Sequence, residues 1–268
     1  MTKTSVTTAE QELTRLKDII IKLRAPDGCP WDQVQTSESL IPYLLEEAYE
    51  VVEAIEDGQT DELKSELGDL LLHVVMQAQI AEEQSNFNLR DSILSINEKL
   101  IRRHPHVFGE DNTKTKRVED AFQNWGKAKK QEGRKSWLDG VPKNLPGLIR
   151  AHRVQAKAST VGFDWNDVSP ALEKFHEEID ELMVEWKQGN EQRTREEFGD
   201  VLFSLVNVGR LMKIDSETAM RQAIDKFDAR FRALESVFID EKRDIEAASL
   251  EEMDEVWDRI KHKVDFRK

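Results

Sequence analysis

The chain has 268 residues and sets 39 Lys plus Arg against 53 Asp plus Glu, a formal net charge of −14 that repels phosphate backbones and anionic lipid, so neither nucleic acid nor membrane is an expected partner. A single cysteine, Cys29, cannot form an internal disulfide or a thiolate zinc site, which fits a reducing compartment. The N-terminal MTKTSVTTAEQEL lacks the apolar core of a signal peptide, and the longest apolar run, Leu70 to Met76, is broken by His73 and too short for a bilayer, so a soluble cytoplasmic protein is expected.

Apolar residues recur at three- and four-residue spacing in windows of about 10–23, 40–55, 62–80, 92–101, 119–128, 148–158, 171–186, 196–212, 217–238 and 250–264. Alternating strand patterns are nearly absent, which predicts an all-α fold. Gly58 and Gly189 are expected to end helices, Ser169-Pro170 to place a cap before a first-turn proline, and Ser249 to Glu252 to form a capping box. The segment GRKSWLDGVPKNLPG, Gly133 to Gly147, gathers glycine and proline and is expected to link a domain at 1–132 to one at 148–268.

A repeat runs across that linker. Leu44 to Val75 aligns without a gap on Phe175 to Val206 at an offset of 131. Glu46, Glu47 and Glu50 fall on Glu177, Glu178 and Glu181; Gly58 falls on Gly189; Glu66, Gly68 and Asp69 fall on Glu197, Gly199 and Asp200. Looser echoes follow: Lys99 and Arg103 resemble Lys226 and Arg230 at an offset of 127, and Trp125 with Lys129 resembles Trp257 with Lys261 at 132. The chain therefore reads as two copies of one helical unit.

On a helix, Glu46, Glu50, Glu53 and Asp57 make one narrow stripe opposite Leu44, Ala48, Val51, Val52 and Ile55, with Glu47 between the two. The next helix carries Leu63, Leu67, Leu70, Leu71 and Val74, with Glu66 and Asp69 at the margin of that stripe. Packing these apolar faces antiparallel would bring Glu47, Glu50, Glu66 and Asp69 together. Solvation is the usual fate of such acids. Between the copies, however, Glu53 became Val184 and Asp57 became Gln188, while the marginal acids stayed acidic. Converging carboxylates repel unless a cation sits among them, and an all-oxygen set suits Mg²⁺, with Mn²⁺ as the alternative. Gly68 and Gly199, mid-helix at a cost of about 1 kcal/mol each, suggest a close backbone approach.

Other residues fit plainer roles. His73 lies on the face of Glu66 and Asp69, but its counterpart is Ser204. Glu173 and His176 form one ExxH pair where di-iron chemistry needs two. His104 and His106 read as a basic helix end. The competing class is a non-catalytic helical interaction protein whose acidic faces recruit a basic partner or keep it soluble.

The duplicated EExxE and ExxD pattern, Glu46 to Glu50 with Glu66 to Asp69 and Glu177 to Glu181 with Glu197 to Asp200, resembles the MazG-type nucleoside triphosphate pyrophosphohydrolases in their two-domain bacterial form. CPWDQVQT at Cys29 to Thr36, RRHPHVFG at Arg102 to Gly109, VGFDW at Val161 to Trp165 and EEMDEVW at Glu251 to Trp257 extend the likeness. The resemblance implies a tandem of helical domains that build dimeric bundles. It also implies cleavage of NTPs or dNTPs, ATP among them, between the α and β phosphates to give NMP and pyrophosphate. By that resemblance Glu178, Glu181, Glu197 and Asp200 bind Mg²⁺ in the C-terminal site, which is favoured for turnover, and Glu47, Glu50, Glu66 and Asp69 match them in the N-terminal half. Lys226, Arg230 and Lys261 would meet phosphates, and Lys174 is grouped with these substrate-binding residues. Trp257 would stack on any base, giving broad base specificity, and Glu177 would orient the attacking water. A homodimer is the expected assembly.

Overall fold

A computed structural model describes residues 7–108 and 136–261, and every regular element among the described residues is helical. The chain forms two compact units. In the first, α1 spans Ala9–Arg24, α2 Pro30–Gln33, α3 Ile41–Glu56, α4 Thr60–Glu83, α5 Leu89–Arg103 and α6 Pro105–Phe108. In the second, α7 spans Gly147–Ser159, α8 Ser169–Lys187, α9 Glu191–Leu211, α10 Ser216–Asp240 and α11 Leu250–Ile260. The short α2 and α6 carry too few residues to register in a helical period. The window at 119–128 lies outside the described residues.

Most helix ends follow local chemistry. Ser249 and Glu252 form the expected capping box, and Thr8 with Gln11 and Asn88 with Asp91 form two more. Helix α9 begins at Glu191, earlier than apolar spacing indicates, because Asn190 caps a polar first turn by accepting from the Arg193 N–H. Ser169 is not the cap that its place before Pro170 suggests. It lies inside α8, and Asp167 takes over at that end, accepting from the Val168 N–H and the Ser169 hydroxyl.

The two units repeat one hairpin. Gly58 at φ +68° and Gly189 at φ +72° close α3 and α8 by the same pair of bonds. The N–H groups of Gly58 and Gln59 donate to Ile55 and Ala54, and those of Gly189 and Asn190 donate to Trp186 and Glu185. Helix α4 then packs on α3, and α9 on α8. The first core joins Ile20 of α1 and Leu40 to Val75, Met76 and Ile80 of α4. In the second unit, α11 packs on α10 through Leu234, Phe238, Val256 and Ile260. Residues 136–146 contain no helix and are tied to α7 by Lys157, whose ammonium donates to the carbonyls of Trp137 and Asp139.

One arginine in each unit pins a flanking motif to the long hairpin helix. Arg24, 7% exposed, donates to the Asp32 and Gln35 carbonyls of CPWDQVQT and pairs with Glu83 of α4 at 2.7 Å. Arg210 of α9 grips both carboxylate oxygens of Asp164 in VGFDW. Hydrogen bonding from Arg24 holds the Glu83 carboxyl below the ordinary carboxylate range. The pair therefore stabilises the fold at neutral pH and ceases to do so as pH falls through that lowered value. Arg24→Met is expected to cost about 2 kcal/mol in urea unfolding at pH 7, since two carbonyls and a carboxylate lose a buried donor. The difference from the unmodified chain should narrow below about pH 4. A cost that does not change with pH would remove Glu83 from this explanation.

Candidate metal centre

The α3–α4 hairpin brings Glu47, Glu66 and Asp69 together, one carboxylate oxygen from each lying within 4.8 Å of the others. All three are half-buried. Burial raises the Glu47 carboxyl above its ordinary value, and the charges of Glu50, Asp69 and Glu66 push it further. Glu66 is raised in the same way, by desolvation and then by Glu50 and Asp69. Among the described residues none of these four acids forms an ion pair with a cationic side chain. The site is a concentration of negative charge with no internal counter-charge.

The α8–α9 hairpin repeats the arrangement with Glu178, Glu197 and Asp200, again within 4.8 Å. Glu178 and Glu197 are only 8% and 7% exposed. Desolvation raises Glu197; Arg193 opposes that, and Glu181, Asp200 and Glu178 add to it. This cluster carries its own cations. The Lys174 ammonium lies 2.8 Å from Glu178 and 2.9 Å from Glu177, and both bonds hold the lysine more firmly charged than usual. Arg193 reaches Glu197 at 3.4 Å. A cleft of about 680 Å³ opens beside these groups, lined by Glu177, Asp180, Glu181, Arg193 and Glu197 among others.

Both donor sets are all carboxylate, converge within one ion's reach and keep a fourth acid alongside, Glu50 or Glu181, that acts on them by charge. Such a set fits a hard divalent cation, Mg²⁺ or Mn²⁺, and offers no thiolate or imidazole for a softer metal. Glu50 and Glu181 stand outside the tightest trio. His73 is outside it too: it is buried, desolvation lowers its pKa against the opposing charge of Asp69, and its Nδ1 has no hydrogen-bond partner. The His176 Nδ1–H donates to the Leu172 carbonyl, and His104 at the end of α5 does the same to Leu100.

Two expectations need correction. Leu67, Leu71 and Val74 do not face the core; they are exposed, and α4 reaches the core instead through Val75, Met76 and Ile80. The hairpin still aligns the acids, since α3 and α4 meet along a neighbouring strip that includes Ala54. A methyl group built on Gly68 or Gly199 would meet nothing within 4 Å, so among the described residues nothing makes the close approach that those glycines suggested.

Apart from Lys174 on α8, the expected phosphate and base contacts sit on a different helix pair from the carboxylates. Lys226 is exposed on α10, and Arg230 donates to the Lys261 carbonyl at 3.1 Å. Lys261 itself pairs with Asp258, and the half-buried Trp257 ring lies 5.4 Å from Phe227. In the first unit Lys99 and Arg103 lie on α5, while Trp125 and Lys129 fall outside the described residues. Arg193 is the residue that sequence reasoning missed. Its signal was its position one turn before Glu197, hidden by the polar first turn of α9.

The model of the MazG nucleotide pyrophosphohydrolase domain matches twice, at residues 35–108 and 167–234, each match enclosing one carboxylate cluster. The nucleoside triphosphate pyrophosphohydrolase/pyrophosphatase MazG of Thermotoga maritima is 44% identical over 92% of this chain and 94% of its own. The nucleoside triphosphate pyrophosphohydrolase of Escherichia coli is 40% identical over 93% of this chain and 97% of its own. An uncharacterized protein of Bacillus subtilis, YabN, is 44% identical over 93% of this chain and 52% of its own. With the family model matched in both units and relatives this similar along nearly the whole length, the chain belongs to the MazG nucleotide pyrophosphohydrolase family.

Proposed function

We propose that the chain hydrolyses nucleoside and deoxynucleoside triphosphates between the α and β phosphates with Mg²⁺, chiefly at the C-terminal cluster. The observation that carries this reading is the recurrence of one carboxylate trio in both units of a chain in this enzyme family. Glu178, Glu181, Glu197 and Asp200 would hold the cation, and Glu47, Glu50, Glu66 and Asp69 would do so in the first unit. When bound, Mg²⁺ neutralises phosphate charge and polarises the phosphorus toward attack.

Water attacks the α-phosphorus, a new oxygen–phosphorus bond forms, the bridging α–β bond breaks, and pyrophosphate leaves. Glu177, which lines the cleft and pairs with Lys174, would orient that water and take its proton. Lys226, Arg230 and Lys261 offer positive charge to the leaving pyrophosphate, with Lys174 on the cleft side. Trp257 offers a ring face that any base can stack on, which predicts broad base selection.

A second copy of the chain completes the arrangement. Phe198, Leu202 and Phe203 on α9 and Ile224, Phe227 and Phe231 on α10 are exposed, large apolar side chains that a partner subunit would cover. The open space over Gly68 and Gly199 is room for a partner helix. A cytoplasmic setting agrees with the lone Cys29; among the described residues no helix is long and apolar enough to cross a membrane. Incubation with NTPs, dNTPs and Mg²⁺ should yield NMP or dNMP with pyrophosphate for every base. Nucleoside diphosphate with phosphate as products would overturn the reading.

A further inference from the structure

Equivalent positions beside the two clusters differ in charge. Lys174 and Arg193 contact Glu178 and Glu197 in the second unit, and at the offset of 131 their places are taken by Tyr43 and Glu62. Glu178 and Glu197, the most buried of the six clustered acids, are the two that carry these internal cations. A divalent ion entering the second cluster therefore meets two positive side chains already on its ligands. In the first cluster, among the described residues, no cationic side chain pairs with its ligands, and Glu62 adds one more to the charge felt by Glu66. The pairing cations are not enclosed by the fold: the Lys174 and Arg193 side chains are 37% and 55% exposed, and Arg193 lines the open cleft.

We propose that the two clusters load differently, the first holding a divalent cation by itself while the second takes one together with a polyanionic ligand that draws Lys174 and Arg193 off its carboxylates. This rests on the pyrophosphohydrolase reading and deepens it. The internal pairs make the second cluster a site where cation and triphosphate bind with positive coupling, because each relieves a charge that opposes the other. The first cluster, lacking such pairs, has no electrostatic reason to wait for a nucleotide. The repeat thus separates a standing cation site from a substrate-gated one on the same scaffold.

Equilibrium dialysis with Mn²⁺, read by the electron paramagnetic resonance of free Mn²⁺, tests this on the full chain. Glu47→Ala/Asp69→Ala and Glu178→Ala/Asp200→Ala assign uptake to each cluster. Without nucleotide, the first cluster should bind Mn²⁺ about tenfold or more tightly than the second. A non-hydrolysable α,β-methylene triphosphate, corrected for its own Mn²⁺ binding, should raise the second cluster's affinity by a similar factor. Lys174→Met/Arg193→Gln should raise it without nucleotide, and Tyr43→Lys/Glu62→Arg should weaken the first cluster. Equal loading of the two clusters in the unmodified chain, or no response to either exchange, overturns the proposal while leaving hydrolysis to NMP and pyrophosphate intact. No Mn²⁺ uptake by either cluster, with or without the triphosphate, would sink the parent reading as well.

Discussion

Glu178→Ala and Asp200→Ala should each lower kcat on the order of 10³-fold, whereas Glu53→Ala should change it less than about twofold. Glu178 and Asp200 belong to the convergent trio of the second unit, so removing either one takes away part of the carboxylate cluster proposed to hold the cation beside the cleft. Glu53 is exposed on α3, and Val184 stands at its counterpart. Glu47→Ala/Asp69→Ala should leave most turnover in place, because Lys174 and Arg193, the cations that face the second cluster, have no counterparts in the first. Similar losses at Glu53 and Glu178 would dissolve the distinction between clustered and solvated acids.

Millimolar Mg²⁺ should raise the melting temperature by several degrees. Binding confined to the folded state contributes about 2.7 kcal/mol when the free ion reaches about 100 times its dissociation constant. The effect should be largest for the first unit, where Glu47 and Glu66 are pushed above their ordinary values by burial and mutual repulsion. An acid whose folded value is raised destabilises the fold at neutral pH and does so less as pH falls through that value, so a cation relieves the same strain that protonation relieves. The Mg²⁺ increment should accordingly shrink as pH falls toward the ordinary carboxylate range. A matched ionic strength of NaCl should reproduce little of it. If NaCl matched Mg²⁺, the clusters would be solvated acidic faces of an interaction surface.

Much of this architecture was legible in the sequence because helical period and duplication are both local signals. The hairpins at Gly58 and Gly189 and the convergence of Glu47, Glu66 and Asp69, and of Glu178, Glu197 and Asp200, were expected from spacing and the repeat, though in sets of four that also held Glu50 and Glu181. What spacing could not supply was the environment of each face. Leu67, Leu71 and Val74 have the period of a core stripe, yet they are exposed in the chain, since helical period marks an apolar face without saying what covers it. The ion pairs of Lys174 and Arg193 were equally out of reach, because an i to i+4 spacing allows a contact without choosing it over solvent. Arg24 ties its neighbouring CPWDQVQT to α4 through Glu83, 59 positions away, and Arg210 holds VGFDW through Asp164, 46 positions away, separations that no local rule covers.

The most direct test is hydrolysis of ATP by the full chain with Mg²⁺ in ¹⁸O-labelled water, with mass analysis of both products. Attack at the α-phosphorus puts the label in AMP and leaves pyrophosphate unlabelled, and the same reaction with Glu178→Ala should give almost none of either. Label in pyrophosphate, or release of ADP with labelled phosphate, would contradict cleavage at the α-phosphorus by this site.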